Sequence, residues 1–324
     1  MKRSELLSRI LVITGIILAI GAPLYFWTST PLIHARMAEN GGWSPDVIQA
    51  EVGQPLHIKL TSDDVVHGFA VGQMDMARVD ILPGKVTDVT LTFDKPGIYT
   101  FFCTRWCGLN HWRMRGTIEV SGSSSDPEPA SVPLYVTLDL DIDVPHESPV
   151  IPSSQPSAIS GQNLVTDSID QSTDYYRANS PYQVFDELNN TSLSEAQRWD
   201  VVAYIWQSNT TPDSLANGKQ LYAQNCAACH GENGAGDGVF AADLALAGEE
   251  SMQSMSGAEN LMMQTPIDFT DLQRMLGASP ALLQGKILRG GMGTGMPMWG
   301  VIFTEEQIWD LIAYIYSFQF EYPK

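Results

Sequence analysis

Basic residues are scarce in this 324-residue chain, and so are cysteines. Lysine and arginine number 18 against 37 acidic residues, which gives a formal net charge of −19. This deficit argues against a nucleic-acid-binding protein, because DNA and RNA are bound mainly through cationic contacts to phosphates. The four cysteines form two close pairs, Cys103 with Cys107 and Cys226 with Cys229. Since both pairs lie in cofactor-binding patterns, the sequence predicts no disulfide framework.

An uncharged apolar run of 18 residues, Ile10–Trp27, lies close to the amino terminus. Its length suits a membrane-spanning helix and exceeds the apolar core of a cleaved signal peptide, which is the alternative interpretation. The basic residues before it place the amino terminus in the cytoplasm by the positive-inside rule, with residues 28–324 on the periplasmic or extracellular side. We therefore expect residues 1–38 to be a single-pass anchor in the cell membrane with a short connector.

The rest of the chain divides into three segments. Alternating apolar and polar residues with frequent turns predict an all-β sandwich or barrel over residues 39–121. Residues 122–212 begin with a run rich in Ser and Pro, which is typical of a linker. One strand is predicted within it, at Leu134–Val144, before its end becomes helical. Residues 213–324 have the periodicity of an all-α domain.

Soft metal ligands are concentrated in the β segment. Cys103, Cys107, His111 and Met114 fall within twelve residues, and His67 stands at the end of a predicted strand. Thiolate, imidazole and thioether ligands together favour copper. A mononuclear blue-copper site needs only one cysteine, so the second cysteine favours two copper ions bridged by both thiolates. The two histidines would then be terminal ligands, and the methionine a weak axial ligand. Zinc or a disulfide is the alternative, and neither would use the downstream His and Met.

This motif, Cys-x-x-x-Cys-Gly-x-Asn-His-x-x-Met from Cys103 to Met114, resembles that of subunit II of haem–copper oxidases. The resemblance covers about residues 43–120 and includes the segment Asp64-Val-Val-His67. It implies a cupredoxin fold and a dinuclear copper A centre, in which the backbone carbonyl of Arg105 is a further axial ligand.

One position departs from the family pattern. Many members have Glu where this chain has Arg105, and that Glu also reaches a magnesium ion at the interface with subunit I. Because a guanidinium cannot bind a cation, we expect no magnesium ligand from this chain. The single predicted anchor resembles the B-type oxidases and some copper A nitric oxide reductases.

The second cysteine pair lies in the sequence Cys226-Ala-Ala-Cys229-His230, which is the c-type haem attachment motif. The two thiols would bind the haem vinyl groups, and the imidazole would supply an axial nitrogen. A thioredoxin-like motif is the alternative, but it lacks the βαβ context and a reason for the histidine. The region resembles the class I cytochrome c family over about residues 213–320.

A low-spin haem carrier needs a second axial ligand, commonly a methionine. Three methionines, Met292, Met296 and Met298, lie close together in a glycine-rich segment. Proline restricts the residue before it, and related cytochromes carry their ligand as Met-Pro. We therefore predict Met296 as the ligand.

A sequence repeat links the linker segment to the haem domain. Ser194–Trp206 and Thr304–Tyr316 align without gaps and are identical at seven of thirteen positions. Both begin with the Ser or Thr and the Gln of a capping box. Chance similarity between two amphipathic helices is the alternative, and the number of identities argues against it. We hypothesise that residues of about 135–210 are a degenerate, haem-less duplicate of the cytochrome domain.

Together these resemblances imply subunit II of a cytochrome c oxidase with a fused cytochrome. Electrons from a donor such as a soluble cytochrome c would enter at haem c and pass through copper A to the haem of a membrane-embedded subunit I that reduces oxygen. We predict no catalytic residue in this chain, because neither site offers open coordination or an acid–base pair. A copper A nitric oxide reductase and a membrane-anchored electron shuttle are the alternatives.

Overall fold

The computed structural model describes residues 11–15, 30–74, 76–108, 111–123, 132–166, 168–242, 266–291 and 296–322. Within these ranges no helix has the length and apolar character needed to cross a membrane. The predicted anchor Ile10–Trp27 lies outside the described residues except for residues 11–15, which are helical.

The first large unit is a β-sandwich, as the sequence predicts. Its strands are β1 (Leu32–Ala35), β2 (Trp43–Ser44), β3 (Val47–Glu51), β4 (Leu56–Ser62), β5 (His67–Val71), β6 (Val79–Ile81), β7 (Val86–Leu91), β8 (Gly97–Phe102) and β9 (Arg115–Ser121). One sheet has the order β2-β1-β4-β7 and the other β3-β9-β8-β5-β6. The pairs β1–β4 and β3–β9 are parallel, and the other neighbours are antiparallel.

The core of the sandwich follows from the period of its strands. On β4, Ile58 and Leu60 point inward and are fully buried, while Lys59 between them is exposed. The centre is aromatic. The ring of Trp43 lies 6.0 Å from that of Phe69 and 5.4 Å from that of Phe101, both in edge-to-face contact, which is a favoured geometry for ring pairs.

Strand pairing holds the predicted copper segment at one end of this sandwich. Phe102 of β8 pairs with Arg115 of β9, and the Cys103 amide donates to the Met114 carbonyl at 3.1 Å, so the segment between them is a closed loop. Strand β5 lies on the other side of β8 and brings His67 to this loop. Gly68 permits that approach, because a Cβ there would lie 2.0 Å from the Thr104 hydroxyl oxygen.

The second large unit is helical. Its helices are α1 (Leu134–Thr137), α2 (Ala158–Gln162), α3 (Thr173–Ala178), α4 (Pro181–Glu187), α5 (Glu195–Ser208), α6 (Pro212–Asn225), α7 (Ala227–His230), α8 (Leu272–Gly277), α9 (Pro280–Arg289) and α10 (Glu305–Tyr316).

The strand predicted at Leu134–Val144 is wrong, because this segment forms α1 followed by turns. Its best-buried side chains pack on a helix instead of a sheet, while Val136, Leu138 and Val144 are exposed. Tyr135 and Ile142 pack over Gly285 of α9, where a Cβ would lie 2.7 Å from the Tyr135 ring. Alternation of apolar residues cannot distinguish a strand from a short segment that covers a helix.

The segment interpreted as a linker is folded where it is described, and it shares one hydrophobic core with the cytochrome segment. Trp206 of α5 is fully buried, and its ring lies 5.2 Å from Tyr176, 5.7 Å from Tyr316 and 5.9 Å from Phe320. The segment interpreted as a linker therefore packs against the cytochrome segment despite its polar composition, because a few aromatic residues supply the apolar contacts.

The two copies of the repeat pack in the same way. A Cβ on Gly161 of α2 would lie 1.9 Å from the carbonyl oxygen of Asp200 on α5. A Cβ on Gly218 of α6 would lie 2.0 Å from the carbonyl oxygen of Asp310 on α10. Since Asp200 and Asp310 occupy the same position of the repeat, each copy uses one glycine to bring a helix against it. Both capping boxes predicted at the starts of α5 and α10 are present.

Candidate metal centres

Three sulfur atoms meet in the copper loop between β8 and β9. The Sγ atoms of Cys103 and Cys107 are 3.7 Å apart, and the Sδ of Met114 lies 3.3 Å from Cys107 Sγ. The carbonyl oxygen of Arg105 lies 3.2 Å from Cys103 Sγ. Cys103 and Met114 are buried, at 3% and 1% exposure. The loop thus gathers the two bridging thiols and both weak ligands named from the sequence.

His67 approaches the same sulfurs from β5. Its Nδ1 lies 3.8 Å from Cys103 Sγ, while its Nε2 lies 2.7 Å from a carboxylate oxygen of Asp64. The ligand atoms of His67, Cys103 and Cys107 all lie within 4.8 Å of one another. A carboxylate on the far nitrogen of a metal-binding histidine fixes its ring and its tautomer, so Nδ1 is directed at the site.

Asp64 is held in the form that this role requires. Burial raises the pKa of its carboxyl group, but hydrogen bonds from His67 and from the Met37 and Val65 amides outweigh it and lower the pKa to about 2. Burial lowers the pKa of His67, and its contacts with Cys103 and Asp64 outweigh that effect and raise it. Sequence reasoning used Asp64 as part of a family pattern and missed this function.

His111 is the remaining donor named from the sequence, and among the described residues its ring nitrogens lie outside the group of ligand atoms that are within 4.8 Å of one another. It lies in a 3₁₀ turn, residues His111–Arg113, and is 6% exposed. Its Nδ1 is buried without a hydrogen-bond partner among the described residues, which is costly unless another ligand binds it. The ring packs on Trp106, with 4.4 Å between centroids. A buried imidazole nitrogen without a partner, beside paired sulfurs, fits a metal ion.

The two thiols of this cluster titrate together. Hydrogen bonding from Cys107 lowers the pKa of Cys103, and the same contact raises the pKa of Cys107, because two thiolates this close repel each other. Two such thiols with imidazole and thioether neighbours fit copper ions, whose charge would offset that repulsion. The Arg105 side chain turns away and forms two hydrogen bonds to Asp80, at 2.9 and 2.6 Å.

The second site is an apolar cleft in the helical unit. It is lined by Cys226, His230, Phe269, Ile287, Met296, Trp299, Phe303, Leu311 and Ile315. His230 Nδ1 donates to the Ile267 carbonyl at 3.2 Å, so this nitrogen carries the proton. Its Nε2 then has the lone pair that iron needs. Burial lowers the pKa of His230, which favours the same neutral ring.

The attachment thiols are protonated at neutral pH. Burial raises the pKa of Cys226 to about 12 and that of Cys229 to about 11. Helix α6 ends at this motif, and the Tyr222 hydroxyl on it donates to the Gly231 carbonyl at 2.9 Å. An apolar cleft lined by the Cys226 thiol and a neutral imidazole, with the Cys229 thiol three residues further along the chain, fits a covalently attached haem.

The three candidate methionines are placed differently. Met296 lines the cleft together with Cys226 and His230. The side chain of Met298 is 51% exposed. Met292 lies outside the described residues. The structure therefore brings Met296 and not Met298 to the cleft.

The helix pair α2 and α5 can be compared with α6 and α10 through the glycine at each contact. With Gly161 aligned on Gly218, the residues at the positions of the two cysteines and the histidine are Ile169, Ser172 and Thr173. Nothing in these three side chains could attach a haem or bind its iron. In the same copy the Phe185 ring stacks on Trp199 at 4.3 Å, inside the shared core.

These features define a cupredoxin-like domain with a sulfur-rich metal loop, followed by a c-type cytochrome domain. Comparison with known families agrees. Residues 45–121 match the family "Cytochrome C oxidase subunit II, periplasmic domain", and residues 215–319 match the family "Cytochrome c". Residues 45–121 are thus similar to the periplasmic domain of cytochrome c oxidase subunit II, and residues 215–319 are similar to cytochrome c.

Two curated relatives are cytochrome c oxidase subunit 2 proteins of Thermus thermophilus. Each is 43% identical over 79 residues, or 24% of this chain, and the match covers 58% of one relative and 46% of the other. The chain therefore spans about half the length of the curated relatives it matches.

Solved structures with detectable similarity include a chain of a haem–copper terminal oxidase dimer, at 26% identity over 37% of this chain and 98% of that one, with a TM-score of 0.25. Another is the periplasmic domain of subunit II of cytochrome oxidase from Bradyrhizobium japonicum, at 26% identity over 23% of this chain and 53% of that one, with a TM-score of 0.22. At such TM-scores these structures do not bear on the assignment, which rests on the two family matches.

Proposed function

We propose that this chain is the subunit of a haem–copper terminal oxidase at which electrons arrive. A donor such as a soluble cytochrome c would reduce a covalently bound haem c, and the electron would pass to a dinuclear copper A centre and on to the haem of a membrane-embedded subunit I that reduces oxygen. Each transfer oxidises one site by one electron and reduces the next by one. The observation that carries this proposal is that one chain holds both donor sets and brings their domains into contact. Arg115, at the end of the copper loop, donates to the carbonyl of Met298 in the methionine segment of the haem domain at 2.9 Å.

At the copper site the protein supplies a complete set of donors. The residues that would hold the two ions are Cys103, Cys107, His67, His111, Met114 and the backbone carbonyl of Arg105. Bound there, dinuclear copper supplies one-electron transfer with little change in geometry. Asp64 orients the His67 ring, and the paired strands β5, β8 and β9 fix both ends of the loop.

At the haem site Cys226 and Cys229 would form the covalent links, and His230 and Met296 would bind the iron. Bound there, haem c supplies a one-electron carrier whose potential is raised by a methionine ligand. The Ile267 carbonyl fixes the His230 tautomer, and Phe269 stacks on that ring at 4.7 Å. The apolar lining keeps water from the cleft.

Membrane attachment and location are part of the proposal. The apolar run Ile10–Trp27, with basic residues before it, supports a single-pass anchor in the lipid bilayer of the cell membrane, with the amino terminus in the cytoplasm. The copper and haem domains would then lie on the periplasmic or extracellular side. Because Arg105 binds Asp80, we also propose that this loop donates no magnesium ligand.

We further propose that residues of about 135–210, within segment 122–212, are a haem-less duplicate of the cytochrome domain. Three features support this: the identities between α5 and α10, the equivalent glycine contacts at Gly161 and Gly218, and the replacement of the attachment residues by Ile169, Ser172 and Thr173. The aromatic core of α5 would give this copy its stability without a cofactor.

The native complex, extracted in mild detergent and supplied with reduced cytochrome c, tests the function. Oxygen and nitric oxide consumption would be recorded side by side. We expect oxygen consumption with little nitric oxide consumption. Nitric oxide consumption without oxygen consumption would contradict the oxidase assignment in favour of a nitric oxide reductase. Isolation of the chain alone, with neither activity, would contradict both in favour of an electron shuttle.

A further inference from the structure

The segment that carries the predicted haem ligand, residues 296–303, lies directly on the copper domain. We call this segment the docking loop. The Gln73 amide donates to the Ile302 carbonyl at 2.9 Å, and the Gln73 side-chain amide donates to the Gly300 carbonyl at 2.7 Å. Arg115 donates to the Met298 carbonyl at 2.9 Å. Three hydrogen bonds from two residues thus hold the docking loop by its backbone.

The local structure around Gln73 is shaped for this contact. Gln73 adopts the left-handed conformation, with φ of 60°, which is uncommon for a residue other than glycine. Gly72 before it allows close approach, because a Cβ there would lie 2.3 Å from the Val301 carbonyl oxygen. Both residues follow β5, the strand that begins with the copper ligand candidate His67. The turn after β5 is therefore fitted to the docking loop.

Arg115 connects the two sites most directly. It follows the copper ligand candidate Met114 in the chain, and its guanidinium lies 5.7 Å from the centre of the Trp299 ring. Trp299 is 8% exposed, lines the haem cleft and stacks on Phe303 at 5.0 Å. The chain from Met114 to Arg115 and the cation–π contact of Arg115 with Trp299 therefore connect the copper cluster to the wall of the haem cleft.

A second contact supports the same arrangement. The ring of Trp106 lies between His111, at 4.4 Å, and Phe240, at 5.2 Å. Phe240 is tied to the attachment motif, because its amide donates to the Ala228 carbonyl at 2.9 Å. The copper loop thus meets the haem domain at both the attachment motif and the docking loop.

We propose that Arg115 and Gln73 form a latch that holds the docking loop on the copper domain and thereby sets the rate at which one electron passes between the haem and copper sites. The inference rests on the proposed function and adds two positioning residues to it. Neither residue contacts the metal donors through its side chain in the described structure. Their effect would come from the distance and orientation between the two domains.

The test compares Arg115→Gln with Arg113→Gln in the full chain carrying both cofactors. Arg113 lies two residues before Arg115, in the copper loop, and is exposed, so it controls for loss of charge near the copper site. Hydrogen–deuterium exchange would be measured for peptides that cover residues 70–74 and 296–303. We expect faster exchange in both peptides for Arg115→Gln and unchanged exchange for Arg113→Gln.

A flash-photolysis measurement gives the functional readout. One electron is delivered to the haem, and its passage to copper is followed from the absorption of both centres. We expect Arg115→Gln to slow this passage by about tenfold or more, since it removes a charged hydrogen bond and a cation–π contact. The reduction potentials of both sites should stay at their wild-type values, which a general structural defect would not predict. Arg115→Lys should recover part of the rate.

The outcomes separate the latch from the proposed function. Wild-type exchange and wild-type rate in Arg115→Gln would overturn the latch, as would faster exchange with an unchanged rate. If the wild-type chain itself passes no electron from haem to copper, the proposed function fails, while the exchange comparison still decides whether the latch exists. If Arg115→Gln does not load copper, Gln73→Asn takes its place. Asparagine tolerates the left-handed backbone conformation at this position, and its shorter side chain loses the hydrogen bond to the Gly300 carbonyl. An unchanged exchange pattern and an unchanged electron-transfer rate in this variant would overturn the proposal.

Discussion

The copper and haem sites are built in opposite ways. At the copper site, five of the six donors come from a closed loop of twelve residues, and strand pairing fixes both ends of that loop. At the haem site the donors lie at residues 226–230 and 296, on two segments far apart in the chain that meet in the cleft of the helical unit. A short loop on a sheet places its ligands by local geometry, whereas the cleft depends on the whole helical core. The two sites should therefore fail independently and in different ways.

The largest expected effect is loss of one cofactor with retention of the other. Cys103→Ser removes a bridging sulfur, so we expect the copper absorption bands to disappear while the haem spectrum is unchanged. In the matched variant, Cys226→Ala with Cys229→Ala, the covalent haem should be lost and the copper bands kept. Metal analysis and absorption spectra of the purified chains check both. Loss of both cofactors in either variant would show that the sites are not independent.

The axial ligand gives the next largest effect. Met296→Leu removes a thioether from the cleft, so we expect the haem potential to fall and its visible spectrum to change. Met298→Leu alters an exposed side chain two residues away and should leave both properties unchanged. A spectroelectrochemical titration of the two variants decides the assignment. The opposite pattern would make Met298 the ligand.

A third prediction compares the two copies of the repeat. Gly161→Ala and Gly218→Ala each place a methyl group within about 2 Å of a backbone carbonyl, and we expect each to lower the free energy of unfolding by about 1–3 kcal/mol. Gln220→Ala, on the exposed side of α6, should change it by less than about 0.5 kcal/mol. Chemical denaturation monitored by helical circular dichroism measures these changes. A neutral Gly161→Ala would contradict equivalent packing.

The smallest expected effect concerns pH and the copper domain. Because the folded-state pKa of Asp64 is lowered from 3.8 to about 2, its contribution to stability is present above the unfolded pKa and is lost as the pH falls towards 2. In the copper-depleted chain the free energy of unfolding should fall between pH 5 and pH 2. We expect Asp64→Asn to make this fall smaller by about 2 kcal/mol. Asp80→Asn, which alters an exposed ion pair, is the control and should change the profile little. Identical profiles for wild type and Asp64→Asn would contradict the role assigned to this carboxylate.

The copper donors could be proposed from the sequence because their chemistry is concentrated in one loop, and the structure brings His67, Cys103 and Cys107 together. The capping boxes of α5 and α10 are local patterns, and the structure confirms both. The attachment motif at Cys226–His230 is an equally local pattern and stays a prediction. The contact of Arg115 with the docking loop could not be predicted in this way. It joins residues 183 positions apart, and no local pattern encodes that proximity.

The predicted strand at Leu134–Val144 failed for a related reason. The segment begins with a short helix, and its best-buried side chains pack on helix α9, which begins more than a hundred residues later. Tyr135 and Ile142 fill the space above Gly285, and this cannot be seen from either segment alone.

The order in which the two sites accept an electron tests the central claim most directly. The oxidised full chain with both cofactors would be mixed rapidly with a substoichiometric amount of reduced cytochrome c, and the haem and copper absorptions followed together. We predict that the haem is reduced first and is then reoxidised at the rate at which copper is reduced. Direct reduction of copper, with no earlier change at the haem, or a haem that stays reduced, would contradict a relay from haem to copper within this chain.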